Sequence, residues 1–275
     1  MNLYVIGRPI KHSLSPTIHN YWLKKYNRSE VYGKLDVNES QLQGVIKKIN
    51  HRELIGANVT IPYKQNIYSL LNNLDLNAKR SFAVNTIYLK NGEVFGENTD
   101  GEGFCEALIQ EMKFNFKHKE ILLLGAGGAC YGIVAELMNR KVSKIFISNR
   151  TRRKAEKLIQ NFKNNAIQIK LLNWEKLVPV KSTDLIINTT SVGLKKEESI
   201  DINLEYLSKK VIYSDLIYSP KKTETMKKFE KKGFLTQNGL GMLVNQAARS
   251  FKLWFNIDLT IEDIQEAKEL CEKSN

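Results

Sequence analysis

Gly125-Ala126-Gly127-Gly128-Ala129 follows the apolar run Ile121-Leu122-Leu123-Leu124, and the next strand-like run ends in Ser148-Asn149-Arg150-Thr151. This order reads as strand, glycine turn, helix (about Gly128 to Arg140) and second strand, the opening of a dinucleotide-binding βαβ unit. Glycines at such a turn let the backbone approach a pyrophosphate, and the first turn of the helix adds N–H groups and positive dipole. An acid at the end of the second strand would accept from a ribose 2′-hydroxyl. Arg150 stands there instead, with Asn149, Thr151 and Lys154 around it, and a basic residue suits a 2′-phosphate. The stretch predicts an NADP(H) site, with Gly125, Ala126, Gly127, Gly128 and Ala129 at the pyrophosphate and Asn149, Arg150, Thr151 and Lys154 at the 2′-phosphate. The third glycine position of the fingerprint is Cys130. Two readings compete for it: a small buried filler that keeps the helix near the strand, or a reactive thiol whose pKa the helix N-terminus lowers.

A chain of 275 residues exceeds the usual single domain, so two domains are expected. No run approaches the roughly 18 uncharged apolar residues of a membrane span, and Met1 to Gly7 is strand-like and followed by polar sequence, unlike a signal peptide. A cytoplasmic protein without a membrane partner is the expectation. The three cysteines, Cys105, Cys130 and Cys271, are widely spaced with no C-x-x-C, which argues against a disulfide framework or a zinc site. The net charge of +13 raises nucleic acid as a partner. The basic residues are scattered, however, as in Lys24-Lys25, Lys47-Lys48, Lys221-Lys222, Lys227-Lys228 and Lys231-Lys232, without interleaved aromatics or a binding motif. Compositional bias towards Lys, Asn and Ile explains the surplus, which favours anionic small molecules in general.

Along the first hundred residues strands and helices alternate. Leu3 to Ile6 is strand-like, Pro16 to Lys25 helical with Ser15 as its cap, Glu30 to Val37 extended and Gln41 to Ile49 helical. A strand at Gly56 to Thr60, a helix from Lys64 to Leu71, and strands at Ala83 to Tyr88 and Glu93 to Phe95 around Asn91-Gly92 follow. A second βα series, with strands near 121–124, 145–148, 167–171, 185–188 and 211–216, fits a doubly wound parallel sheet. Helices at Met242 to Phe255 and Ile261 to Cys271 close the chain, and Gly101 to Met112 is the expected first bridge between domains.

Four segments carry polar residues where a strand turns into a helix or loop, the position at which open α/β sheets bind ligands. They are His12-Ser13-Leu14-Ser15-Pro16, Asn58-Val59-Thr60-Ile61-Pro62-Tyr63-Lys64, Val84-Asn85-Thr86 and Asn98-Thr99-Asp100-Gly101. Singly, each has a plain structural use as a cap, a turn former or a solvated charge. Together they assemble hydroxyls, amides, an amine and a carboxylate, the equipment for gripping a polyol carboxylate. A Lys and Asp pair in such a site can carry protons.

These segments, in this order, resemble the shikimate dehydrogenase family over essentially the whole chain. Gly7-Arg8-Pro9-Ile10-Lys11-His12-Ser13-Leu14-Ser15-Pro16 is similar to the family's serine-x-serine substrate segment, Asn58 to Lys64 to its N-V-T-x-P-x-K, and Asn98 to Gly101 to its N-T-D-G. Asn188-Thr189-Thr190-Ser191-Val192-Gly193, Asp215-Leu216-Ile217-Tyr218-Ser219-Pro220 and Gly239-Leu240-Gly241-Met242-Leu243-Val244-Asn245-Gln246-Ala247 complete the likeness.

The resemblance implies reversible NADPH-dependent reduction of 3-dehydroshikimate to shikimate, a step towards chorismate and the aromatic amino acids. It implies an α/β substrate domain over 1–101, completed by 238–275, and a Rossmann NADP-binding domain over 102–237. Ser13 and Ser15 would hold the substrate carboxylate, and Asn58, Thr60, Asn85, Asp100 and Gln246 the ring hydroxyls. Lys64, paired with Asp100, would donate and accept the proton. Leu216 and Gly239 would flank the nicotinamide, and Tyr218 would close on the substrate side. The partner is a small molecule, with no metal and no nucleic acid, and the assembly admits a homodimer. Two positions depart from the family pattern: Phe82 replaces a glycine before Ala83-Val84-Asn85-Thr86, and Asn238 an aspartate before Gly239. Two rival readings remain, a quinate/shikimate dehydrogenase using NAD and a non-catalytic NADP sensor. The absence of an acid at 149–151 and the presence of Ser15 argue against the first, and the Lys64 and Asp100 pair against the second.

Overall fold

A computed structural model describes residues 1–163 and 167–274; Asn164, Asn165, Ala166 and Asn275, which the expected domain spans include, lie outside the described residues. The chain divides into two compact units, Met1–Glu106 with Met242–Ser274, and Ala107–Gly241.

The first unit is built on strands β1 (Asn2–Gly7), β2 (Val31–Asp36), β3 (Leu54–Val59), β4 (Asn73–Leu74), β5 (Thr86–Lys90) and β6 (Glu93–Glu97), in the spatial order β2-β1-β3-β5-β6-β4. β1 pairs in parallel with β2 and β3, setting Leu3 opposite Tyr32 and Val5 opposite Asn58. β5 runs antiparallel to β3, with Asn58 opposite Thr86, and β6 antiparallel to β5, with Thr86 opposite Glu97. The turn between β5 and β6 uses Asn91 and Gly92 at φ 53° and 84°, the left-handed pair that a tight hairpin requires. This register has one consequence for function. The C-terminal ends of β1, β3 and β6 and the start of β5 all fall at the same end of the sheet, so the four polar segments become neighbours.

Helices α1 (Ser15–Lys25), α2 (Leu42–Asn50), α3 (Lys64–Leu70), α4 (Leu76–Ser81) and α5 (Asp100–Met112) leave these strand ends. Leu42, Val45, Ile46 and Ile49 of α2 recur at helical spacing and pack with Ile6, Ala57, Val59, Ile67 and Ile87 in the core. Late in the chain, α9 (Leu240–Phe255) and α10 (Ile261–Ser274) supply the rest of this unit. α10 is fastened to α1 by Trp22, which donates its indole N–H to the Asp263 carbonyl at 3.0 Å, and by Tyr26, whose hydroxyl donates to the Asp263 carboxylate at 2.6 Å.

Two local expectations change. Ser15 does not cap α1 but opens it; Leu14 is the N-cap residue and offers no side-chain bond, while the Ser13 hydroxyl accepts the Ser15 N–H at 3.3 Å. The strand expected from Ala83 begins at Thr86, because Val84 and Asn85 spend their N–H groups on Lys64 and Glu97 carbonyls while the chain turns out of α4.

The second unit contains β7 (Glu120–Leu124), β8 (Lys144–Ser148), β9 (Gln168–Leu171), β10 (Leu185–Asn188), β11 (Ile212–Asp215) and β12 (Leu235–Gln237), all parallel, in the order β12-β11-β10-β7-β8-β9. Ile121 to Leu124 and Leu185 to Ile187 are wholly buried, as central strands covered on both faces must be. The helices are α6 (Gly128–Asn139), α7 (Arg152–Asn161) and α8 (Glu224–Lys231). The winding reverses between β7 and β10, which makes their C-terminal ends the ligand-binding switch point of a Rossmann sheet. Among the described residues no helix is long and apolar enough to cross a membrane.

Candidate active site

In the first unit, Lys64 at the start of α3 and Asp100 at the start of α5 meet: Nζ lies 2.5 Å from Asp100 Oδ2, with side chains 12% and 4% exposed. The other oxygen, Oδ1, accepts from Asn85 Nδ2 at 2.9 Å, and the Asp100 N–H is held by Asn98 Oδ1 at 3.1 Å. One ammonium and one carboxylate are thereby fixed at a sheet end in a largely desolvated setting, where a proton carrier needs to be held.

Behind this pair stands a buried polar layer. Asn85 accepts the Thr99 N–H at 2.9 Å and the Thr86 hydroxyl at 3.0 Å, and its amide nitrogen also contacts Gln246 Oε1 at 3.2 Å. Gln246 reaches Asn85 because α9 lies hard against α5. A Cβ added to Gly103 would stand 2.5 Å from the Gln246 nitrogen and 2.8 Å from its Cα. Asn58 donates to the Asn85 carbonyl (3.1 Å), Thr86 Oγ1 (3.1 Å) and Ser250 Oγ (2.9 Å), and accepts from the Tyr32 hydroxyl at 2.7 Å. Asn58 and Asn85 are thus committed largely to internal partners. By contrast the Thr60 hydroxyl has no hydrogen bond among the described residues, and Ser13 donates only to Ser15, at 3.2 Å.

Thr86 and Thr99 belong to the polar segments at the strand ends, whereas Tyr32, Gly103 and Ser250 lie outside every motif of the sequence. A buried hydroxyl nearly three turns into a helix, or a tyrosine in an edge strand, has the same local signature as any core residue. Only Gly103, in Asp100-Gly101-Glu102-Gly103, carried a signal, a second glycine early in a helix where another backbone must approach.

Burial displaces several nearby titrations. It pushes the Glu97 carboxyl up to about 7, with Asp75 and Glu102 adding to that and the Asn98 N–H and Arg249 opposing it. It pushes the His19 imidazole down to about 3, opposed by the neighbouring Asn58 amide; neither ring nitrogen has a hydrogen-bond partner among the described residues. The Tyr32 phenol is raised well above its ordinary value, so it stays a donor at any physiological pH.

In the second unit the glycine turn leaves β7 as expected. Gly125 has φ +117°, and a Cβ there would stand 2.3 Å from Thr189 Oγ1, so the chain admits only glycine. Gly127 caps α6 with extended backbone, and a Cβ there would meet nothing within 4 Å. The Gly127 backbone is therefore uncovered by side chains, as close approach of a ligand to a helix N-terminus requires. After β8, Asn149 donates to the Thr151 carbonyl at 2.7 Å and shapes the loop. Among the described residues Arg150 and Lys154, both exposed, have no acidic partner, whereas Arg152 pairs with Glu156 at 2.7 Å. Two unpaired cations beside this turn fit a 2′-phosphate. Leu216 and Gly239 also come together, since a Cβ on Gly239 would stand 2.0 Å from the Leu216 carbonyl oxygen. Tyr218, half-buried, lies two residues after Leu216 within this unit.

Cys130 resolves in favour of the filler. It is completely buried, its thiol donates to the Gly125 carbonyl at 3.3 Å, and burial pushes its pKa up to about 12. The reactive-thiol expectation is corrected: desolvation outweighs the helix dipole. Phe82 sits in the left-handed region at φ 50°, ψ 31°, which accounts for glycine at this position in the family pattern, and its ring centroid lies 6.0 Å from that of Tyr68. Asn85 keeps its partners nonetheless. Asn238 accepts the Leu240 N–H at 3.1 Å and donates to the Lys221 carbonyl at 3.0 Å, a bond that an aspartate could not donate.

Comparison with known proteins places this geometry. The shikimate dehydrogenase substrate binding domain matches residues 5–87, the shikimate/quinate 5-dehydrogenase domain 107–220, and the shikimate 5′-dehydrogenase C-terminal domain 239–267. Shikimate dehydrogenase (NADP(+)) of Pelagibacter ubique is 40% identical over 92% of each chain. The chain belongs to the shikimate dehydrogenase family. Among solved structures, shikimate 5-dehydrogenase of Thermus thermophilus in complex with NADP(H) and shikimate is 31% identical, with a TM-score of 0.85 and 98% of each chain covered. The ligand-free 5-ketofructose reductase of a Gluconobacter species matches with a TM-score of 0.88 at 26% identity, again over 98% of each chain. A shikimate dehydrogenase fold is thus shared with a reductase named for another substrate, and the choice of substrate must be argued from side chains.

Proposed function

We infer that this chain is an NADP-dependent oxidoreductase that interconverts shikimate and 3-dehydroshikimate, a step towards chorismate and the aromatic amino acids. Family membership supports the reaction, and the observation that carries the assignment of roles is the buried Lys64 and Asp100 pair at the sheet end of the first unit. When bound, NADP(H) supplies hydride acceptance and donation. Lys64 takes the proton of the reacting hydroxyl during oxidation and returns it during reduction. Asp100 orients the amine through Oδ2, while Asn85 holds Oδ1 and so keeps the carboxylate from turning away. Ser13 and Ser15, whose hydroxyls adjoin, receive the substrate carboxylate, and Asn58, Thr60, Asn85, Asp100 and Gln246 meet its ring hydroxyls. The turn at Gly125 to Ala129 and the cations Arg150 and Lys154, with Asn149 and Thr151, bind the cofactor phosphates. Leu216 and Gly239 support the nicotinamide, and Tyr218 borders the substrate. We place the enzyme in the cytoplasm, with domains over 1–101 plus 238–275 and over 102–237 and a homodimer as one admissible assembly.

Initial rates of reduced-cofactor formation (NADPH or NADH) at 340 nm, with shikimate or quinate crossed with NADP+ or NAD+, test the reading. Shikimate with NADP+ is expected to give the highest kcat/KM. A preference for quinate with NAD+ would establish the rival dehydrogenase, and no turnover with any pair would leave the sensor.

A further inference from the structure

The orientation of the Asn58 side chain is settled by its neighbours. One of them is the backbone carbonyl of Asn85, 3.1 Å away, which can only accept. The amide nitrogen must face it. Its second hydrogen goes to Ser250 Oγ at 2.9 Å or Thr86 Oγ1 at 3.1 Å. Both hydrogens are then spent inside the protein. The amide oxygen consequently faces the Tyr32 hydroxyl at 2.7 Å and accepts from it, which leaves one lone pair on Oδ1.

Tyr32 is itself held on three sides. Its backbone N–H and carbonyl exchange hydrogen bonds with the Asn20 amide, both at 2.9 Å. Its ring is stacked on His19, with centroids 4.3 Å apart and 15° between planes. It is 2% exposed. A side chain so placed cannot swing away to release Asn58.

We propose that Tyr32 is a positioning residue for the substrate: its hydroxyl fixes the orientation of the Asn58 amide, both hydrogens of which are held inside the protein, so that Asn58 meets a ring hydroxyl with its oxygen. The inference rests on the reading above, that shikimate is the substrate and Asn58 lines its site. It adds the polarity of that contact and the residue that imposes it.

A double-mutant cycle tests this with wild type, Tyr32→Phe, Asn58→Ala and the double variant, measured for kcat/KM with shikimate at saturating NADP+, KM for NADP+ and melting temperature. Tyr32→Phe keeps the ring and its stack and removes only the hydroxyl. It is expected to lower kcat/KM for shikimate roughly two- to tenfold, the effect of one buried hydrogen bond, with KM for NADP+ unchanged. In the Asn58→Ala background the same change is expected to cost less than about twofold, because the group it positions is gone. A Tyr32→Phe effect of equal size in both backgrounds, or none in the wild-type background, overturns the proposal while leaving the functional reading intact. Asn58→Ala with wild-type kcat/KM overturns the proposal and the place of Asn58 in the site, and wild type without shikimate turnover overturns the functional reading as well. Should Asn58→Ala not fold, Asn58→Ser closes the same cycle.

Discussion

Asp100 is bound by Lys64 at one oxygen and by Asn85 at the other, at 2.5 Å and 2.9 Å. The two contacts come from different ends of the chain's logic. Lys64 opens the helix that follows β3, whereas Asn85 precedes β5, and the antiparallel register of β3 with β5 and of β5 with β6 sets them on either side of the residue that follows β6. Holding both oxygens removes the carboxylate's rotational freedom before substrate arrives, which is how a scaffold pre-organises a proton carrier. Breaking one partner from such a desolvated pair costs more than the pair contributes, because the other charge is left without compensation.

Cofactor choice is the clearest prediction from the second unit. Arg150 has no acidic partner among the described residues, so its charge is free for a ligand. Arg150→Ala should weaken NADP+ binding by about 1.5–3 kcal/mol, roughly ten- to 150-fold, the range of a lost charge-assisted hydrogen bond. Affinity for NAD+, which lacks the 2′-phosphate, should be nearly unchanged. Titrating both cofactors by fluorescence checks this, and equal losses would assign Arg150 to the fold instead.

All three cysteines are buried, with burial pushing the Cys130 thiol up to about 12 and the Cys271 thiol up to about 11. The native protein should therefore consume almost no aromatic disulfide reagent over minutes at pH 8, and the denatured protein three equivalents. NADP+ should make no difference to the native rate. Rapid labelling of Cys130 that the cofactor slows would restore the reactive-thiol reading.

Stability should respond to pH through two groups of opposite sign. His19 has a folded pKa depressed from 6.5 to about 3, so its stabilising effect is complete above 6.5 and is lost as pH falls below that value, when the unfolded chain takes up a proton that the folded chain refuses. Glu97 has a folded pKa raised from 4.5 to about 7; the folded chain holds the extra proton, and stability declines as pH rises from 4.5 through 7. Urea unfolding between pH 4.5 and 7 should show the two nearly cancelling in wild type. His19→Phe should leave a curve that falls with rising pH, and Glu97→Gln one that rises, each by at most about 1.4 kcal/mol per pH unit. Parallel curves for the two variants would show that other groups control the acid limb.

The sequence carried the second unit's sheet well because its central strands are continuous apolar runs, Ile121 to Leu124 and Leu185 to Ile187, punctuated by a glycine turn. It carried the Lys64 and Asp100 pair because each opens a helix next to a turn motif. It failed where elements are too short to show a period: α4 is six residues with Ala78 and Ser81 alone buried, β4 is two and β12 three. The part of the buried layer built by Tyr32 and Ser250 was illegible for another reason. Its residues act through long-range hydrogen bonds, such as that between Asn58 and Ser250, 192 positions apart, and no local pattern records such a partner. Cys130 was misjudged in one of its two readings because the helix N-terminus is visible in a sequence, whereas the depth of burial that outweighs it is not.

The central claim, that Lys64 moves the proton while the rest of the first unit binds and orients, is tested most directly by steady-state kinetics of Lys64→Ala with shikimate and NADP+. A group that acts mainly in the transition state lowers kcat rather than raising KM. The expected result is a kcat lower by at least about a hundredfold, the low end of general acid–base effects, with KM for shikimate within a few-fold of wild type and the fold intact by circular dichroism. A kcat near wild type, with the loss confined to KM, would show that Lys64 only binds the substrate and that the proton comes from another group.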